Sequence, residues 1–189
     1  MLIAIAGHPL GSLAPRERAR RIAYLPQGHV FHWPMAVAAV VALGRYPHAD
    51  AFSDLTDADR AAVERALIAT ATVPFAARSV TTLSGGERAR VALARALASE
   101  APIVLADEPT VSLDPRHQLV VMELLQRVAH NGAAVLAIVH DLALAARFAD
   151  RIAVMDRGRL IAQGPPREVL TPERIAAVFG VAAVIADSA

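Results

Sequence analysis

The sequence contains no lysine and no cysteine, and all 19 of its basic Lys/Arg-type side chains are arginine. Without cysteine there are no disulfides, no thiolate metal sites and no cysteine nucleophile. Aromatic residues make up only 4% of the chain, so its core must be assembled from small aliphatic side chains, alanine prominent among them. No apolar run approaches the roughly 20 residues that a membrane-spanning helix needs. The longest, Met35 to Gly44 and Ala176 to Ala186, fall well short. Met1 to Gly7 carries no basic leader of the kind that opens a secretory signal. An excess of one charge is missing too: the net charge is +1, which gives no electrostatic case for nucleic acid or an anionic membrane. These absences fit a soluble, cytoplasmic protein.

What is present is a chain of 189 residues, 55% hydrophobic and 20% charged, enough for one domain with a real core. Leu2 to Ala6 reads as a short strand, followed by a loop and the basic segment Arg16 to Arg21. Ile22 to Leu25 is a second strand, stopped by Pro26. From Gly28 to Leu83 the pattern turns helical, with Val37, Val40, Val41 and Gly44 at helical spacing. A further helix starts at Thr56, capped with Asp59, and buries Val63, Ala66, Leu67 and Thr70. After Leu83, strands and helices alternate. Ile103–Ala106 and Ala134–Val139 are continuous apolar runs, expected as strands buried on both faces. Asp114-Pro115 opens a helix to about His130, Leu142 to Phe148 forms another, and Thr171-Pro172 starts a last one closed by Gly180. Asp156 to Arg159 marks a hairpin between Ile152–Met155 and Leu160–Gln163. The fold class is α/β with a largely parallel sheet.

Four short segments carry candidate chemistry. In Leu83-Ser84-Gly85-Gly86-Glu87, adjacent glycines let backbone N–H groups approach an anion at a helix N-terminus, and Ser84 adds a hydroxyl. An ordinary glycine-rich turn would have the same letters. The strand Ile103 to Ala106 delivers Asp107 and Glu108 to the carboxyl edge of the sheet, where α/β proteins bind ligands. Asp107 there suits Mg²⁺ and Glu108 an attacking water, the plain alternative being a polar strand end before Pro109. The strand ending at Val139 delivers His140, placed to bond a phosphate oxygen and water or simply to cap a helix. Gln27 follows its strand in the same way, as a ligand of Mg²⁺ and water or a surface loop residue. His29 and His32 are close enough in sequence to suggest a metal pair, but no third ligand is evident, and loop or subunit contacts are the favoured reading.

In this order and spacing, the segments resemble the ATP-binding cassette (ABC) ATPase family. Leu83 to Glu87 is similar to its signature motif, Ile103 to Glu108 to its Walker B strand and catalytic acid, and Ser112-Leu113-Asp114 to its D-loop. His140 resembles the switch histidine and Gln27 the Q-loop glutamine. The resemblance implies a P-loop NTPase-like core formed by residues 1–27 and 84–189 and a helical subdomain over 28–83. It implies ATP and Mg²⁺ as cofactors, with Glu108, His140 and Gln27 catalytic and Asp107 and Gln27 at the metal. Ser84, Gly85, Gly86, Glu87 and Asp114 would face a nucleotide held by a second, head-to-tail subunit. It also implies a membrane permease, an external binding protein acting indirectly, no nucleic acid, and a peripheral place on the cytoplasmic face. Leu43 to His48 and Gly164 to Gly180 are similar to importer ATPases for iron–siderophores, haem and cobalamin.

One family motif is missing. The P-loop, G-x-x-x-x-G-K-[ST], should precede the Q-loop, but only 26 residues precede Gln27 and none is lysine. The expectation is a domain truncated at its N-terminus and incomplete in its core. Its own nucleotide binding would then be weak and one side of its sheet uncovered. The alternative is a non-catalytic module that docks on a complete ABC subunit or permease. A soluble ABC protein acting on DNA or ribosomes would carry coiled-coil insertions or basic patches, and none is seen.

Overall fold

A computed structural model describes residues 3–28, 30–49 and 54–184. It comprises two compact units, residues 1–138 and 139–189. In the first, β1 (Ala4–Ile5) and β2 (His8–Pro9) pair as a tight antiparallel hairpin through Ala6 and Gly7, both at positive φ. Leu2, counted in the expected strand, lies outside the described residues. The basic segment forms a helix, α1 (Pro15–Arg21), started by proline at its first turn. β3 (Ile22–Leu25) follows directly.

The next elements build a small-residue core. α2 (Val37–Ala42) and α3 (Asp57–Ala69) pack with α4 (Gly85–Ala98) around Val37, Val41, Val63, Leu67, Phe75, Val80 and Val91. Alanines such as Ala66, Ala94 and Ala98 let the helices approach closely. Gly44 is required here, because an added Cβ would collide with the Arg95 carbonyl of α4. Beside it Arg45, only 5% exposed, donates to Asp59 at 2.8 Å, to the Ala98 carbonyl at 2.8 Å and to Glu100 at 2.9 Å. Arg16 and Arg20 of α1 both donate to the Pro47 carbonyl, at 2.9 and 2.8 Å. His48 reaches the Ser99 carbonyl at 2.9 Å. The segment Leu43 to His48 is thus tied to α1, α3 and the end of α4.

β4 (Ile103–Asp107), α5 (Pro115–His130) and β5 (Ala134–Ile138) complete the unit. β3, β4 and β5 form a parallel three-stranded sheet with β4 central. The expectation of strands buried on both faces is corrected, and that of a sheet uncovered on one side agrees with the exposures. Ala23, Leu25, Val104 and Ala106 are buried on one face, where helices pack. On the other face Tyr24, Leu136 and Ile138 are more than half exposed. Apolar letters on both faces make a strand, but burial also needs an element to cover each face, and the described residues of this unit cover only one.

The second unit holds α6 (Leu142–Phe148), β6 (Ile152–Asp156), β7 (Arg159–Gly164), α7 (Pro166–Val169) and α8 (Pro172–Phe179). β6 and β7 form an antiparallel hairpin turned by Arg157 and Gly158, both at positive φ as a two-residue turn demands. Its core is Val154, Val169, Leu170 and Ile175. Among the described residues no helix is long and apolar enough to cross a membrane.

Candidate functional site

Parallel strands carry their loops out of one sheet edge, so the residues after β3 and β4 are delivered side by side. Pro26 ends β3 and turns Gln27 over the edge, while β4 runs directly into Asp107 and Glu108. Gln27 Nε2 donates to Glu108 Oε2 at 2.7 Å, joining residues far apart in sequence. Tyr24, whose neighbour across the sheet is Leu105, donates its hydroxyl to Asp107 Oδ2 at 3.1 Å. That hydrogen bond pushes the Tyr24 hydroxyl above its ordinary pKa, because losing the proton would face the phenolate with a carboxylate. Sequence reasoning missed Tyr24. It reads as one more strand residue, and only the register shows that it reaches the acid.

The turn leaving β4 is strained. Glu108 has φ 45° and Ser112 φ 60°, and a non-glycine residue held there costs about 1–3 kcal/mol. The Glu108 N–H is anchored to the Ile138 carbonyl of β5 at 3.2 Å, and its own carbonyl accepts the Val111 N–H at 3.1 Å. Asp107, Glu108 and Gln27 together offer hard carboxylate and amide oxygens. No cluster of three acidic, histidine or cysteine side chains able to hold a metal occurs among the described residues. This sparse oxygen set fits Mg²⁺, which keeps several waters and relies on phosphate oxygens. His29 lies outside the described residues.

A second group forms at the N-terminus of α4. Ser84 caps the helix by accepting the Glu87 N–H at 3.3 Å, and Glu87 in return accepts the Ser84 N–H at 2.8 Å. The Ser84 N–H, first among the causes, holds the Glu87 carboxyl below its usual range. The absent side chain of Gly86 also serves the packing of the fold. Gly86 is buried, and a Cβ there would overlap the imidazole of His117, so its missing side chain is filled by a ring. Gly85 is exposed, with Leu113 Cδ2 at 4.0 Å from where a Cβ would stand. Asp114 caps α5 by accepting the His117 N–H at 3.0 Å, and its other oxygen meets His117 Nδ1 at 2.6 Å. The side-chain bond to His117, first, holds Asp114 below the usual carboxylate range.

All of these residues belong to the first unit. His140 belongs to the second, one position before Asp141, which caps α6 by accepting the Ala143 and Leu144 N–H groups at 2.8 and 3.0 Å. The bonds of Gln27 to Glu108 and of Tyr24 to Asp107, and the approach of Leu113 and His117 to Gly85 and Gly86, are all built within the first unit.

A family model described as ABC transporter matches residues 2–111. The chain belongs to the ABC transporter family. Over 178 residues it is 47% identical to the cobalamin import ATP-binding protein of Halobacterium salinarum, covering 94% of this chain and 44% of that protein. It is 46% identical to the hemin import ATP-binding protein of Streptomyces coelicolor, covering 94% of this chain and 63% of the relative. This ABC chain therefore spans about half to two thirds of the length of these relatives. Among solved structures, a metal-chelate type ABC transporter in an inward-facing conformation superposes with a TM-score of 0.79 at 29% identity, covering 86% of this chain and 64% of the other. A dimeric ATP-binding cassette bound to ADP and Pi superposes with a TM-score of 0.70 at 27% identity, covering 86% and 72% of the two chains. The α/β core and the parallel sheet are thus those of an ABC cassette.

Proposed function

We propose that this ABC chain is the ATP-binding and ATP-hydrolysing subunit of an importer for haem, cobalamin or iron complexes, working at the cytoplasmic face of a membrane. Its partners would be an integral permease and a second ABC subunit arranged head to tail, with an external binding protein acting through the permease. Residues 1–27 and 84–189 would be the catalytic core and residues 28–83 the helical subdomain that meets the permease. The observation that carries the reading most is the bond between Gln27 and Glu108 at the carboxyl edge of the sheet. A carboxylate held there by an amide is oriented to accept a proton from a water as that water attacks phosphorus.

Asp107, oriented by Tyr24, and Gln27 would hold Mg²⁺, which when bound neutralises charge on the phosphates. His140 would bond the terminal phosphate and the same water. Ser84, Gly85 and Gly86 would present hydroxyl and amide donors to a nucleotide bound by the other subunit, with the N-terminal dipole of α4 behind them. Glu87 keeps that helix end capped, and Asp114 shapes the facing loop. No G-x-x-x-x-G-K-[ST] stands among the 189 residues; Ser84, Gly85, Gly86 and Asp114 would supply the signature half of a composite site, and Gln27, Asp107, Glu108 and His140 the groups that act on water, Mg²⁺ and phosphate.

The test mixes the full chain with the complete hemin import ATP-binding protein of Streptomyces coelicolor and follows association and phosphate release. Association that needs Mg·ATP and is lost in Ser84→Arg supports the reading. Association indifferent to nucleotide and to Ser84→Arg overturns it.

A further inference from the structure

Gly86 and His117 are far apart in sequence, yet the ring of one occupies the space that a side chain on the other would need. His117 is doubly fixed: its ring Nδ1 lies 2.6 Å from Asp114 Oδ2, and its backbone N–H donates to the other oxygen of the same carboxylate. The loop before Asp114 is strained at Glu108 and Ser112, and Gln118, the next residue of α5, reaches its Thr110 carbonyl at 3.5 Å. Leu113 of that loop lies against Gly85. The first turn of α5 therefore holds both the strained loop and the start of α4.

From this we infer that His117 is a positioning residue: its imidazole, tied to Asp114 and seated on Gly86, sets where the N-terminus of α4 stands relative to the loop Ser112–Asp114. It touches no reacting atom. Its effect is to keep Ser84 and Gly85 at a fixed offset from Leu113 and Asp114, so that both loops meet a ligand as one surface. The catalytic part of the inference rests on the proposed role of Ser84–Glu87 towards nucleotide. The positional part does not.

Four full-length proteins test it: the wild type, Gly86→Ala, His117→Ala and the double variant. In thermal unfolding, Gly86→Ala is expected to lower the midpoint clearly when His117 is present and far less in the His117→Ala background, because the colliding ring is gone. In amide spectra, His117→Ala is expected to shift the resonances of Gly85, Gly86 and Glu87. In the mixture with the complete hemin import subunit, His117→Ala should lower kcat by about tenfold to a hundredfold, as misplacement of a positioned group does, with KM for Mg·ATP nearly unchanged. Equal costs of Gly86→Ala in both backgrounds, or unmoved Gly85–Glu87 amides, overturn the inference. So does an unchanged kcat in a mixture that hydrolyses ATP. If the wild-type mixture hydrolyses none, the proposed function fails, and the unfolding and amide measurements still decide where His117 acts.

Discussion

α3 and α4 begin with the same local device, and the two copies live in different surroundings. In α3, Thr56 accepts the Asp59 N–H at 3.2 Å and Asp59 accepts the Thr56 N–H at 3.1 Å. In α4, Ser84 and Glu87 repeat the exchange. Asp59 is only 4% exposed and faces the buried guanidinium of Arg45, which in turn reaches Ala98 and Glu100. Among the described residues Glu87 has no such partner at hydrogen-bond distance, and Ser84 and Gly85 beside it are open to solvent. A capping box satisfies the backbone in both places. What surrounds its acid decides whether it also locks a core or leaves a helix end available to a ligand.

Removing the two acids should separate the roles most sharply. Asp59→Ala leaves the buried Arg45 with Glu100 but without its buried carboxylate partner, and is expected to cost about 3 kcal/mol, the low end for a broken buried pair, read as a lower midpoint in denaturant unfolding. Glu87→Ala removes only a cap at a partly exposed helix end and should cost about 1 kcal/mol. Equal losses would mean that the Arg45 network does not distinguish the two sites.

Gly44→Ala probes the same buried region from its backbone side. The added Cβ meets the Arg95 carbonyl, and a carbonyl inside a helix cannot yield as a side-chain tip can. The expected loss is about 1–3 kcal/mol, as for overpacking in a core, again by denaturant unfolding. A near-neutral result would show that Leu43–His48 can draw away from α4 despite its ties.

The sequence made one part of this comparison visible and hid the other. Both boxes can be read from a hydroxyl residue followed three positions later by an acid, and the helices after them from their apolar spacing. The strands were legible as Val/Ile/Leu/Ala runs, with Gln27, Asp107 and Glu108 at their ends. The partners were not legible, because they depend on register and tertiary approach. Tyr24 reaches Asp107 only through the alignment of β3 with β4, and Arg45 reaches Asp59 only once α2 and α3 pack. That Gly86 also gives room to the His117 ring could not be read from the glycine pair alone. Leu136 and Ile138 looked buried because an apolar letter does not say which face of a strand is covered.

Acid should separate the boxes again, less strongly than the substitutions. Hydrogen bonds from Thr56 and then Arg45 lower the Asp59 carboxyl from 3.8 to about 2. A carboxyl whose folded pKa is depressed adds stability that is fully present above the unfolded value. That stability is lost as pH falls from near 3.8 through about 2. Unfolding followed from pH 5 downward should therefore show a loss of stability in the wild type that is smaller in Asp59→Asn. Glu87 is also lowered, by the Ser84 N–H first, so Glu87→Gln should remove a smaller part of the acid sensitivity. If Glu87→Gln flattened the profile more than Asp59→Asn, the exposed box would be the stronger lock and the comparison would reverse.

The smallest change exchanges the caps themselves. Thr56→Ser and Ser84→Thr each keep a hydroxyl that can accept the third N–H of the helix, and serine and threonine differ little as caps, by a few tenths of a kcal/mol. Neither should move the unfolding midpoint much. Thr56 bonds inward to Asp59 at 2.6 Å, so losing its methyl alters nothing that a ligand would meet. Ser84 is exposed, and a methyl there stands beside the hydroxyl and Gly85 amide proposed to face nucleotide. Ser84→Thr should therefore weaken Mg·ATP-dependent association with the complete hemin import subunit, while Thr56→Ser leaves it unchanged. Two variants of equal stability and unequal association would place the difference between the boxes in what approaches them from outside the chain. Equal association would make the α4 box a second structural cap and leave the nucleotide-facing role of Ser84 without support.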